Sequence, residues 1–275
     1  MAERAVAGRR SRVRHLLRGI AIVYVGLLVV WPVAMVARHT FADGFDAMGR
    51  ALSDPLVTRS LWLTAQVAFG AVVINTIFGV GISLLLVRYE FPGRRALSAL
   101  IYLPLSVSPV VVGLALILVY GADGWFGPVL GATGFEVIFA MPGMVMATAF
   151  VALPLVIREV VPVLYEIGDE QEQAARSLGA NAVQVFRRIT LPAIRWAVVY
   201  GVVLSLARSL GEFGAVKVVS GNVVGSTQTA TLVVEQRYQD FEQDIAYATS
   251  FLLALAAIVC LVVVSLIRPK EGATR

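Results

Sequence analysis

The chain has little of what a soluble enzyme needs: of its 275 residues only 15% are charged, two are histidine and one is cysteine. Soluble domains carry about 25% charged residues, so this composition argues against a water-soluble domain. The single cysteine, Cys260, excludes an intramolecular disulfide. The two histidines, His15 and His39, flank the first apolar run and belong to no cluster of metal ligands or catalytic triad. The sequence therefore predicts no metal site and no enzymatic activity.

Lysine is scarce as well, since the chain contains only Lys217 and Lys270. A phosphate-binding P-loop requires glycine directly before its lysine. Val216 precedes Lys217, and Pro269 precedes Lys270, so neither lysine fits. Any ATP-driven activity would therefore depend on a separate subunit that binds ATP, and the chain itself is predicted to bind no cofactor.

Apolar residues, by contrast, are abundant: 58% of the chain is hydrophobic and the mean hydropathy is +0.81. A helix of about 20 apolar residues crosses the hydrocarbon core of a membrane. Six runs reach or approach this length, at 19–37, 61–87, 96–120, 137–157, 196–216 and 245–267. Because lipid cannot satisfy backbone hydrogen bonds, each run is predicted to be helical. The sequence thus predicts an all-α polytopic membrane protein with six transmembrane helices in a single domain, 19–268.

Basic residues concentrate on one side of these runs, in the segment 1–18, in two alternate loops and in the tail 269–275. Cytoplasmic loops carry the excess of arginine and lysine, so both termini are predicted to be cytoplasmic. The net charge of +5 is then explained by arginines that meet anionic lipid head groups on the inner face of the membrane, and not by binding to nucleic acid. The pair Arg9 and Arg10 is compatible with an export signal, but the first run is longer than such signals and contains Trp31 and Pro32. An uncleaved first span is therefore expected.

The most informative loop is 166–194, between the fourth and fifth runs. Asp169, Glu170 and Glu172 suit the positive end of a short helix, and Gly179 suits its left-handed cap. A second amphipathic helix is predicted to end before Pro192. Its apolar face comprises Ala182, Val185, Phe186 and Ile189. Such a pair of helices either fits a groove of a partner protein or lies on the membrane surface, and the pattern alone leaves both open.

The same loop resembles the EAA loop of importer-type ABC transporter permeases, written E-A-A, three residues, G, nine residues, I-x-L-P. Gln173 stands where that motif has glutamate, with Glu172 beside it. In that family the loop is the coupling helix, which docks into the ATPase subunit. The resemblance implies a coupling role for Glu172, Gln173, Ala174, Ala175, Gly179, Ile189, Leu191 and Pro192.

Further segments resemble the permeases of sulfate/thiosulfate importers of the ABC class. They are Phe91-Pro92-Gly93-Arg94, Ser106-Val107-Ser108-Pro109, Met141-Pro142-Gly143-Met144, Arg158-Glu159 and Gly211-Glu212-Phe213-Gly214-Ala215. The resemblance implies a type I importer permease in the inner membrane of a prokaryote. Its implied partners are a second related permease chain, two copies of an ATPase and an extracytoplasmic sulfate-binding protein.

Two alternatives to sulfate import remain open at this point. Molybdate permeases share the Gly-Glu-Phe-Gly-Ala element, so a molybdate or tungstate permease is the nearest alternative. An ion-coupled carrier or channel without an ATPase is the alternative of another class, and it should contain several buried ionisable residues. The runs contain one evident pair.

That pair is Arg208 and Glu212, which interrupt the fifth run and, at i and i+4, are predicted to share one helix face. A charge at the membrane centre costs about 2.5–3.5 kcal/mol on the insertion scale, so the pair is a candidate functional site. In one interpretation Arg208, Glu212, Phe213 and Gly214 line the translocation path or its gate. In the other, the pair is structural and tethers the fifth helix to a neighbour.

Overall fold

A computed structural model describes residues 14, 16–42 and 44–267, and all regular secondary structure in these residues is helical. Of the predicted basic arm 1–18, residues 1–13 and His15 lie outside the described residues, whereas Leu16 already begins the first helix, and the predicted tail at 269–275 lies outside them as well. The helices in chain order are α1 (Leu16–Thr40), α2 (Asp46–Ser53), α3 (Pro55–Arg88), α4 (Arg94–Tyr102), α5 (Pro109–Tyr120), α6 (Gly127–Thr133), α7 (Met141–Glu166), α8 (Glu170–Ser177), α9 (Ala182–Leu210), α10 (Gly214–Val219), α11 (Ala230–Gln239) and α12 (Gln243–Ile267).

Five of these helices are long and apolar enough to cross a membrane, namely α1, α3, α7, α9 and α12. A sixth crossing exists only if α4 and α5 are taken together. The chain bends by 114° between the segments Arg94–Leu105 and Pro109–Tyr120. The predicted all-α polytopic architecture is confirmed, but the prediction of one continuous third span over 96–120 is wrong.

Proline explains the bend between α4 and α5. Pro109 restricts the preceding residue to an extended conformation, and Ser108 has φ −59° and ψ 133°. Pro104 lies in a short 3₁₀ turn, Leu103–Leu105, directly after α4. The chain therefore leaves the helical path between the two prolines and starts again in a new direction.

Helix α7 lies at the centre of the bundle, packed against α3 on one side and α9 on the other. Two glycines allow this close approach. A Cβ atom on Gly79 of α3 would lie 2.8 Å from Cγ1 of Val156, and one on Gly201 of α9 would lie 2.9 Å from the Cα of the same valine. Small residues at helix contacts let backbones approach in membranes, and Val156 is fully buried as a result.

The two ends of the bundle differ in charge. We call the end where α3 and α7 terminate the basic end, because Arg88, Arg94, Arg187 and Arg188 gather there. At the opposite end α2, α11 and α12 meet the start of α3. The ion pairs there join Arg237 to Asp54 and Glu242, and Arg50 to Asp244.

Candidate coupling loop and intramembrane break

The first part of the loop at 166–194 folds as its sequence predicts. Helix α8 has Glu170 and Glu172 in its first turn, where the helix dipole favours negative charge. It is followed by Gly179 in the left-handed region, with φ +89°. The amide of Gly179 donates to the carbonyl of Arg176 at 3.0 Å, and that of Ala180 donates to Ala175 at 3.0 Å. These bonds close the last turn and reverse the chain towards α9.

The outer surface of this loop is mostly polar but carries two large exposed apolar side chains, Leu178 and Val183. Gln173 and Ala174 are exposed on α8. Leu178 is 89% exposed and Val183, at the start of α9, is 64% exposed. Apolar side chains this exposed within a polar loop are compatible with a surface that another protein covers.

Glu172 lies on the inner side of α8, where its side chain is only 7% exposed. Nε of Arg88 donates to both of its carboxylate oxygens, at 3.3 and 3.2 Å. Oγ1 of Thr190 donates to Oε1 at 2.8 Å, and Nη2 of Arg176 lies 3.8 Å from Oε2. The carboxylate thus connects α8 to α3 and α9 and does not lie on the exposed surface of the loop.

Arg88 extends this network to α7. Its Nη1 donates to the carbonyl of Leu164 at 3.0 Å, and its Nη2 donates to that of Gly168 at 2.6 Å. The sequence alone does not pair Arg88 with Glu172. The contact joins residues far apart in the chain, so no local pattern could have shown it.

The second part of the loop differs from the prediction. Asn181 begins α9 with a capping box, in which Asn181 and Gln184 exchange two hydrogen bonds of 2.9 Å. This cap was not predicted, although asparagine three residues before glutamine is one of its signatures. Of the predicted apolar face, Val185 is buried, Phe186 and Ile189 are half-buried, and Ala182 is exposed.

The predicted end of this helix before Pro192 is wrong, because α9 continues to Leu210. A π-turn at Phe186–Thr190 precedes the proline, and the amide of Leu191 donates to the carbonyl of Phe186. Pro192 lacks an N–H and cannot bond back along an α-helix, and the wider turn accommodates it without ending the helix. Leu191 and Pro192 are exposed at this point.

The predicted fifth span over 196–216 is also wrong in one respect, because α9 ends at Leu210 and α10 begins at Gly214. Arg208 lies in the last turn of α9, whereas Glu212 lies in the break. Their side chains still pair, with Nη2 of Arg208 2.8 Å from Oε2 of Glu212. This approach lacks the angles of a hydrogen bond. The two residues therefore form an ion pair across a helix end and do not share the face of a continuous helix.

Glu212 is almost fully buried, with 2% of its side chain exposed, whereas the side chain of Arg208 is 38% exposed. Oε1 of Glu212 accepts from the amide of Ala215 at 3.0 Å and so caps α10. Its backbone carbonyl accepts from Oγ1 of Thr231 on α11 at 2.9 Å. These contacts hold Glu212 between α10 and α11, while the guanidinium of Arg208 remains accessible.

The break between α9 and α10 lies beside the break between α4 and α5. A Cβ atom on Gly214 would lie 3.2 Å from Cβ of Pro109, and one on Gly113 would lie 2.7 Å from Cβ of Val218. Phe213, next to Gly214, is 36% exposed. Two interrupted helices thus meet in the membrane region, an arrangement tolerated where backbone is buried in protein or lines a cavity.

Comparison with known proteins places the chain in a family. The family model described as "Binding-protein-dependent transport system inner membrane component" matches residues 75–269. The chain is 43% identical over 274 residues to the sulfate transport system permease protein CysW of Synechococcus elongatus, covering 98% of this chain and 96% of that protein. It is 40% identical over 250 residues to CysW of Escherichia coli K12, covering 91% and 86%.

A solved structure has the same fold. A bacterial ABC transporter involved in the import of the acidic polysaccharide alginate aligns with a TM-score of 0.78 at 17% identity, covering 94% of this chain and 96% of that one. These matches confirm the predicted importer-permease architecture and the predicted transport role in place of catalysis. The chain is a multi-pass inner-membrane permease subunit and belongs to the family of binding-protein-dependent transport system inner membrane components, among the CysW-like ABC permeases.

Proposed function

We propose that this chain forms the translocation path of an ABC importer for sulfate or thiosulfate, driven by a separate ATPase. The observation that carries the proposal is the geometry of the loop at 166–194. Its apolar side chains Leu178 and Val183 are exposed. The buried carboxylate of Glu172 accepts hydrogen bonds from Arg88 and Thr190 and so holds the loop against α3 and α9. The relatives named as sulfate permeases support the choice of substrate.

In this proposal the basic end faces the cytoplasm, together with both termini, and two copies of the ATPase dock there. Ala174 and Leu178 enter a groove on the ATPase, and the closure of the ATPase dimer displaces α8. The salt bridge between Arg88 and Glu172 transmits this movement to α3, and Thr190 transmits it to α9. Ala175, Gly179, Ile189, Leu191 and Pro192 keep the shape of the loop.

The path itself would run past the two helix breaks, between this chain and a second, related permease. An extracytoplasmic sulfate-binding protein would deliver the anion at the opposite end. The exposed guanidinium of Arg208 offers positive charge to a dianion, and the neighbouring carboxylate of Glu212 limits how tightly the anion is held. Phe213 and Gly214 complete the gate beside Pro109.

Uptake of labelled sulfate tests the proposal in cells that lack this chain and every other sulfate importer, before and after the chain is restored. We expect restored uptake that requires ATP and persists in excess molybdate. The variant Leu178→Asp should abolish uptake, because it places a charge on the proposed docking surface.

Three other results of the uptake experiment would contradict the proposal. Uptake abolished by molybdate would favour the molybdate or tungstate permease. Uptake that survives ATP depletion and the loss of the ATPase would favour an ion-coupled carrier or channel. Sulfate uptake that stays absent after the chain is restored would refute the substrate assignment.

A further inference from the structure

Helix α7 carries an arginine, Arg158, well inside its transmembrane length. Arg88 contacts the carbonyl of Leu164 and so marks the level of the basic end. At about 1.5 Å per residue, Arg158 lies about 9 Å further into the membrane than Leu164. It therefore does not belong to the ring of arginines at the basic end.

The side chain of Arg158 is exposed and, among the residues that the structure describes, makes no hydrogen bond or ion pair. Its neighbour Glu159 does not neutralise it. Glu159 lines a separate cavity between α7 and α9, together with Val163 and Trp196. An arginine at such a depth facing lipid is costly, so arginines inside spans face water-filled cavities or other charges.

The position of Arg158 on α7 shows what it faces. Met144, Val151, Arg158 and Tyr165 follow one another at intervals of seven residues and therefore share one helix face. Met144 and Val151 are buried in a cluster with Ala215 and Val219 of α10. Arg158 and Tyr165 are exposed. The face is thus covered by α10 in its outer part and open from Arg158 to the basic end.

The same face leads from the helix break towards the basic end. Gly201 of α9 contacts Val156 of α7, which aligns the two helices. Arg208 lies beyond Gly201 towards the opposite end, so Arg158 lies about 13 Å from it along the membrane normal. Beyond Arg158, Nη2 of Arg94 donates to the hydroxyl of Tyr165 at 2.5 Å. Arg94 and Arg95 line a cavity of about 320 Å³ there.

We propose that Arg158 is a second binding residue for the transported tetrahedral oxyanion, which it receives on the cytoplasmic side of α10 after the anion has left Arg208. A guanidinium presents two parallel N–H groups that match two oxygens of such an anion. Because Arg158 forms no ion pair within residues 14, 16–42 and 44–267, its charge is available to a ligand. This inference rests on the proposed function of oxyanion import.

The test compares Arg158→Gln and Arg158→Lys with Arg195→Gln in the assembled complex. Arg195 is the matched control, an exposed arginine near the basic end of α9 that stacks on Trp196. We expect Arg158→Gln to lower sulfate uptake about tenfold or more, since a hydrogen bond to a charged group contributes about tenfold or more in binding. Arg158→Lys should retain part of the uptake, and Arg195→Gln should retain all of it. The amount of complex in the membrane should be equal in all variants.

A chemical rescue separates binding from a structural role. Since Cys260 is the only cysteine, Cys260→Ser provides a background in which Arg158→Cys is the single reactive site of the chain. Aminoethyl methanethiosulfonate restores a positive charge at position 158 after the complex has assembled, whereas ethyl methanethiosulfonate adds a neutral group there. We expect the charged reagent to restore uptake and the neutral reagent to leave it low. We also expect sulfate to slow the modification of the cysteine at position 158.

The outcomes separate this inference from the proposed function. If the wild-type complex does not transport sulfate, the proposed function fails. If it does transport sulfate, Arg158→Gln uptake within about twofold of wild type overturns the inference. A loss of uptake that merely follows a loss of complex, or equal effects of the two reagents, overturns it as well.

Discussion

Arg88, the last residue of α3, binds both carboxylate oxygens of Glu172 on α8, at 3.3 and 3.2 Å. Both side chains are nearly buried. Helix α8 is therefore joined to the 34-residue helix α3 by a contact that is largely shielded from solvent, so a displacement of α8 would pull directly on α3.

The first prediction concerns this contact. Glu172→Gln keeps an acceptor for Thr190 but leaves the guanidinium of Arg88 buried without its ion-pair partner. Breaking a buried ion pair in this way destabilises a fold by about 3–5 kcal/mol. We expect a lower unfolding temperature of the purified complex and less sulfate taken up per ATP hydrolysed. Glu170→Gln, an exposed carboxylate on the same helix, is the control. Equal unfolding temperatures for the two variants would contradict the assignment.

The second prediction concerns Gly179. Its φ of +89° is disfavoured for any residue with a Cβ atom, by about 1–2 kcal/mol. Gly179→Ala should therefore reshape the end of α8, move Leu178 and reduce the amount of ATPase that copurifies with the permease. Gly131→Ala, in open space on α6, should leave copurification unchanged. Full recovery of ATPase with Gly179→Ala would show that the left-handed turn is dispensable.

The third prediction concerns the ion pair at the break between α9 and α10. In Glu212→Gln the side-chain carbonyl still accepts from the amide of Ala215, but the charge opposite Arg208 is lost. If the pair gates the path, uptake should change about tenfold while the amount of assembled complex stays constant. Glu235→Gln is the control. It removes a half-exposed ion pair with Lys217 and should have little effect on uptake. Unchanged uptake in Glu212→Gln would leave the pair a purely structural role.

The fourth prediction concerns the contact between α3 and α7. A Cβ atom on Gly79 would come within 2.8 Å of Val156, whereas one on Gly81 meets nothing within 4 Å. Gly79→Ala should force the two helices apart and cost about 1–3 kcal/mol through overpacking. Gly81→Ala, two positions away, should be neutral or stabilising. Thermal unfolding of both variants in the same detergent is the measurement, and equal shifts would contradict the packing described.

The sequence predicted the spans well and their interruptions poorly. Long apolar runs require helices in lipid, and each predicted run contains one. Proline by itself does not show where a helix breaks, because Pro109 lies at a sharp bend whereas Pro154 and Pro162 lie inside the continuous helix α7. Neighbouring helices decide whether the backbone groups freed by a proline are satisfied, and the sequence does not show those neighbours.

In the loop at 166–194, too, the local features were predictable and the long-range contacts were not. Gly179 and the acidic start of α8 are local signals, and both features are present in the structure. The inward orientation of Glu172 depends on Arg88, which lies far away in the chain, and could not be predicted. The second helix of the loop was wrongly predicted to end before Pro192, because the π-turn at Phe186–Thr190, which departs from the period of an α-helix, carries α9 past the proline.

That departure from the helical period has a consequence for how the loop is oriented. The π-turn at Phe186–Thr190 is equivalent to a one-residue insertion held within α9, and it brings Val185 and Thr190 onto one buried face. Deleting a single residue there would restore a regular helix in which these two residues stand four apart and still share that face, so the segment before the turn would keep its orientation. A one-residue change in chain length is therefore absorbed within a single turn of α9, and the loop at 166–194 keeps its angle to the span that follows it.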